Sequence, residues 1–124
     1  MENYFCKVFI NTLMSKDELA YTIGEFLQVS FNEILFAKNN CISLDIRKNK
    51  EVDKEQLKLF PDGFLFFPYF LEIDIVDETN AIRYKKLVGE LLLFLWSKKC
   101  QIVTASDFEE ELPHKGGYNQ QINY

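Results

Sequence analysis

Residues 67–76 read Phe67-Pro-Tyr-Phe-Leu-Glu-Ile-Asp-Ile-Val76, and the reading of this stretch decides the fold. Tyr69, Leu71, Ile73 and Ile75 alternate with Phe70, Glu72 and Asp74, the period of two that sends successive side chains to opposite faces of a strand. One face is apolar and the other carries two carboxylates, as in an antiparallel sheet covered on one side only. Pro68 stands near the start, where a missing ladder N–H costs least. Downstream the period changes. Tyr84, Leu87, Val88, Leu91, Leu92 and Leu95 form a broad stripe at helical spacing and predict a helix from about Asn80 to Lys99, capped by Asp77 or Thr79. Lys98 and Lys99 fall at its C-terminal end, where the helix dipole favours cations.

Working outward, Tyr4 to Ile10 is rich in β-branched and aromatic residues and predicts a first strand. Ser15-Lys-Asp-Glu18 is a capping box, and the helix it opens carries Leu19, Ile23, Phe26 and Leu27 on one stripe to about Gln28. Glu33 to Lys38 and Cys41 to Arg47 flank Asn39-Asn40, a pair tolerant of positive φ, and predict a hairpin with that pair as its turn. Lys48 to Gly63 is polar and ends in Pro61-Asp62-Gly63, so it reads as a long connection with one helical turn at Lys54 to Leu59. Cys100 to Ala105 is a last short strand. The predicted order is β-α-β-β-β-α-β. Two helices with one stripe each cover one face of a sheet, so the fold class is α+β, a two-layer sandwich with a mostly antiparallel sheet and both helices on one face. The other face is expected to be partly open and to display Asp45, Arg47, Phe70, Glu72 and Asp74, with Phe5 and Lys7.

The chain of 124 residues is the size of one domain, expected over 1–124 with 106–124 as an acidic C-terminal extension partly packed on it. It has 14 basic and 19 acidic residues, a net charge of −5, which opposes binding to phosphate backbones and excludes nucleic acid as the expected partner. A basic protein suits that charge. Cys6, Cys41 and Cys100 are odd in number, widely spaced and set among apolar residues, as expected of reduced core thiols in the cytoplasm. The N-terminus has no apolar block of signal-peptide length. The longest apolar run, Leu87 to Trp96, is broken by Gly89 and Glu90 and falls short of the roughly 20 residues a membrane span needs, so no membrane association is expected.

Few constellations support chemistry. His114 is the only histidine, sits between Pro113 and Lys115 in a predicted exposed turn, and has no sequence signature linking it to a cysteine. Glu72 and Asp74 share a strand face and could form an acid–base pair, or pair with Arg47 and Lys7 across the sheet. Asp107, Glu109, Glu110 and Glu111 lack the spacing of a calcium loop, and Gly116-Gly117 lacks the context of a phosphate loop and reads as a flexible turn. No cofactor, metal or catalytic residue is therefore assigned. The aromatic run Phe60, Phe64, Phe66, Phe67 and Phe70 admits two readings, core or exposed docking patch.

The segment Asp107-Phe-Glu-Glu-Glu-Leu-Pro-His-Lys-Gly-Gly-Tyr118 carries four acids in five residues. It is either a solvated tail or a patch fixed by Phe108, Leu112 and Tyr118, large apolar residues a free tail has no reason to carry. The negative charge is concentrated late in the chain, with six basic and ten acidic residues from position 61 onward against eight and nine before it. On these grounds of charge and exposure the candidate partner-binding residues are Asp107, Glu109, Glu110 and Glu111, with Glu72, Asp74, Phe70 and Tyr118.

The stretches "FPYFLEIDI" (67–75) and "YKKLVGELLLFLWSKKCQIVTASDFEEELPHKGGY" (84–118) together resemble the small bacterial immunity proteins of contact-dependent growth inhibition and other polymorphic toxin systems. The resemblance implies a short, acidic, cytoplasmic protein that binds and neutralises a cognate toxin domain, often a basic nuclease, without chemistry of its own. It transfers no binding residue. The alternative expectation is a small ligand-binding or enzymatic α+β domain, which would need a pocket with convergent polar groups.

Overall fold

The computed structural model describes residues 3–58 and 62–117. Strand β1 (Cys6–Asn11) is followed by helix α1 (Lys16–Leu27), strands β2 (Phe36–Lys38), β3 (Ile42–Lys48) and β4 (Tyr69–Ile75), helix α2 (Ala81–Ser97) and strand β5 (Gln101–Ser106). This is the expected α+β order. Among the described residues all four strand pairings are antiparallel, in the spatial order β2-β3-β4-β1-β5. Because β4 and β5 each run antiparallel to β1, they are parallel to one another, and α2 is the crossover of a split β-α-β unit with β1 inserted in it.

Local signals set the elements. At α1 the Glu18 N–H donates to Ser15 Oγ at 3.1 Å while the Ser15 N–H donates to the Glu18 carboxylate at 3.2 Å, closing the capping box. Along β4 the register sets Ile73 opposite Leu44 on β3 and Leu71 opposite Val8 on β1, so the apolar alternation of three strands faces one way. Leu19 and Ile23 of α1 and Tyr84, Val88, Leu91, Leu92 and Leu95 of α2 close over that face in one core.

Several details depart from the expectation. Only residues 36–38 of the Glu33–Lys38 stretch join the sheet. The Asn32 side chain accepts the Ile34 and Phe36 N–H groups at 3.0 Å each, and Leu35 is left-handed (φ 59°), which folds 33–35 into a turn. Neither Asn39 nor Asn40 takes positive φ. Instead Asn39 Oδ1 accepts the N–H groups of Cys41 (2.8 Å) and Ile42 (3.0 Å), and the Asn39 N–H donates to Ile42 O, so the tight part of the hairpin is Asn40-Cys41. Phe26 lies at the edge of the α1 stripe and is 37% exposed, its ring stacked on Phe94 at 4.2 Å. Among its described residues the long connection holds two short 3₁₀ turns, Gln56–Lys58 and Asp62–Phe66. The second carries Phe64 onto the face of the sheet away from the helices, where Phe64, Phe67 and Phe9 are buried together beside Phe70 and Val103. The aromatic run is thus largely a second, smaller core. Phe60 lies outside the described residues.

Leu91 is fully buried. Leu91→Ala should lower the unfolding free energy by about 2 to 5 kcal/mol, and Phe26→Ala should cost clearly less, since part of its ring is already in water. Urea denaturation of both variants checks the order, and a larger loss at Phe26 would contradict this packing.

Candidate partner-binding surface

After β5 the chain turns at Asp107-Phe108, makes a 3₁₀ turn over Glu109–Glu111, passes Leu112 and enters a second turn over Pro113–Gly117. It is not a free tail. Phe108 is 2% exposed, edge-on to the Tyr84 ring at 6.0 Å, and Leu112 joins the same core. With the apolar residues facing in, Asp107, Glu110 and Glu111 face water and Glu109 is half-buried. Lys85 of α2 reaches Glu111 at 3.1 Å and lies over the Phe108 ring at 5.3 Å. The Glu109 carboxyl is pushed above its ordinary pKa, first by burial and then by the neighbouring Glu110 charge.

Glu72, Asp74 and Phe70 occupy the other face of the sheet. Glu72 meets Arg47 at 3.7 Å, and Arg47 also reaches Asp45 at 3.5 Å. Lys7 stands over the Phe70 ring at 4.2 Å, and Asp74 accepts the Ile75 N–H at 2.8 Å. Seven of the eight residues expected to bind a partner therefore fall on two surfaces separated by the sheet, with the four acids of 107–111 on the helix side. The eighth, Tyr118, lies outside the described residues. Sequence reasoning also passed over a surface groove of about 830 Å³ at the start of α2, lined by Ile82 (88% exposed), Arg83, Lys86 and Leu87 among others. The signal for it was an isoleucine off the apolar stripe beside two cations.

Gly116-Gly117 is not the flexible turn expected. Both residues are buried with positive φ, and a Cβ on either would come within 2.8 Å of a β5 carbonyl oxygen, that of Thr104 or of Ile102 respectively. Glycine is needed for both reasons, backbone conformation and close approach.

The thiols are poorly placed for nucleophilic work. Cys6, Cys41 and Cys100 are free and buried. Burial is the first cause raising Cys6 to about 11, against weaker opposing hydrogen bonds that include one from Tyr84. Burial likewise raises Cys100, and it is the largest cause raising Tyr84, whose hydroxyl donates to Tyr4 O at 2.5 Å and lies 3.7 Å from Cys6 Sγ. His114 is exposed, edge-on to Trp96 at 5.1 Å. Among the described residues no group of three or more His, Cys, Asp or Glu could hold a metal ion, and no helix is long and apolar enough to cross a membrane.

Comparison of the chain with protein-family models, with curated proteins and with solved structures finds no match.

Buried thiols should resist alkylation in the folded protein at neutral pH, because the reagent cannot reach them. Because the Cys6 pKa is raised on folding, its contribution to stability is complete below the ordinary thiol value of 9.0 and is lost as the pH rises toward about 11. Unfolding free energies measured across that window should fall with pH, and Cys6→Ala should remove part of the slope.

Proposed function

We propose that this protein is a stoichiometric inhibitor of the immunity type, which binds a basic toxin domain in the bacterial cytoplasm and performs no chemistry itself. The observation that carries this reading is the anchoring of the acidic turn. Phe108 and Leu112, buried in the main core, hold Asp107, Glu109, Glu110 and Glu111 in one arrangement before any partner arrives. Pre-ordered charges spare the entropy of fixing side chains on binding. Lys85 offsets Glu111, while Glu109 keeps a carboxylate partly removed from water, a position that a partner's arginine would repay. Net charge of the same sign, concentrated late in the chain, adds long-range steering.

The test requires a toxin domain encoded beside this protein's gene, and a neighbourhood without one would count against the reading. Co-expression of the wild-type chain should restore growth. Replacing Glu109, Glu110 and Glu111 together with lysine should slow association about tenfold or more at low salt and flatten its dependence on ionic strength. Circular dichroism confirms that the variant keeps its fold. An association rate unchanged at low salt, or no protection by the wild type, would defeat the reading.

A further inference from the structure

The four residues His114, Lys115, Gly116 and Gly117 are consecutively left-handed, with φ of 52°, 52°, 76° and 85°. The glycines adopt this conformation freely, but a histidine and a lysine do so against the clash of Cβ with the backbone. This run fills the corner between α2 and β5. The Pro113 ring abuts Gly89 so closely that a Cβ there would meet Pro113 Cδ at 3.2 Å, His114 meets Trp96 edge-on, and the two glycines press on β5. Beneath it lie two buried polar atoms. Trp96 Nε1 and Thr104 Oγ1 are both buried, with no hydrogen-bond partner among the described residues. Built Cβ atoms on Gly117 and Gly116 would approach the Trp96 ring at 3.1 Å and Thr104 Cβ at 3.4 Å, so this corner is where the run sits over both side chains. The backbone bond that leaves the run is local, from Lys115 N–H to Leu112 O at 2.9 Å, and among the described residues no backbone bond ties the run to α2 or β5.

We propose that residues 113–117 are a strained strap that lifts from this corner as a unit while the sheet, the helices and the acidic turn remain folded. Opening relieves two unfavourable backbone conformations and lets water reach the indole N–H and the threonine hydroxyl. Closing regains only packing on Gly89, Trp96 and the β5 backbone. The hinge is Leu112, whose buried side chain keeps the preceding residues in place. Regions with few backbone hydrogen bonds to the rest of a fold open below the global transition. The proposal is independent of the reading of the acids, which lie on the anchored side of the hinge.

Trp96 is the only tryptophan, so its accessibility reports the strap directly. Acrylamide quenching of its fluorescence should rise at urea concentrations below the transition seen by far-ultraviolet circular dichroism. Lys115→Gly removes one strained conformation at an exposed side chain and should move that early rise to higher urea. Gly117→Ala, which places a Cβ against the Ile102 carbonyl, should move it to lower urea or abolish closure. If quenching follows the circular dichroism transition in both the wild type and Lys115→Gly, the strap does not open on its own and the proposal fails. That comparison decides even where Gly117→Ala does not fold.

Discussion

Tyr84 ties the molecule together. It sits on α2 and is fully buried, and its hydroxyl donates to the Tyr4 carbonyl just before β1. Its ring meets Tyr4 edge-on at 6.2 Å and Phe108 at 6.0 Å. Three parts of the chain that no continuous hydrogen-bond ladder joins thus converge on one side chain: the approach to β1, the crossover helix and the segment after the last strand. A buried phenol must find an acceptor, since leaving its O–H unpaired would cost roughly 1 to 3 kcal/mol. Meeting that demand fixes how α2 sits on β1.

The acidic turn depends on this arrangement. Phe108 has a place in the core because Tyr84 offers it a ring edge, and once Phe108 is seated Glu110 and Glu111 point outward while Glu109 stays half-buried beside it. Lys85, adjacent to Tyr84 on the helix, then lies across the Phe108 ring and bonds Glu111. Charge display here follows from packing. The half-burial that raises the proton affinity of Glu109 is the cost of holding that carboxylate close to the apolar anchor beside it.

The readable parts of the sequence were those governed by one local rule each. Alternation over 69–75, the Ser15 and Glu18 capping box and the apolar stripe of α2 need only nearest neighbours to form, and each stands where it was expected. The misread parts were settled by partners distant in sequence or by competing side-chain bonds. Asn39 turns the hairpin through its side-chain oxygen instead of by left-handed backbone, and before β2 the Asn32 side chain acts together with a left-handed Leu35. Phe26 satisfied the helical spacing, yet the nearest apolar surface available to it was Phe94 and not the sheet. Gly116-Gly117 carries no local sign that another strand lies against it. For the candidate surface, the anchoring of the acids was legible from Phe108 and Leu112. The separation of Glu72, Asp74 and Phe70 from them was not, because it depends on which side of the sheet the segment after β5 crosses.

An open sheet has two outer strands, and each is a template on which a second chain can polymerise. At one border β2 has only three residues, cut short by the left-handed Leu35 and the Asn32 side chain that takes up neighbouring N–H groups. So brief a border offers too little ladder for edge-to-edge growth. A turn that looks like an irregularity of the hairpin is, in colloidal terms, a guard against fibre formation.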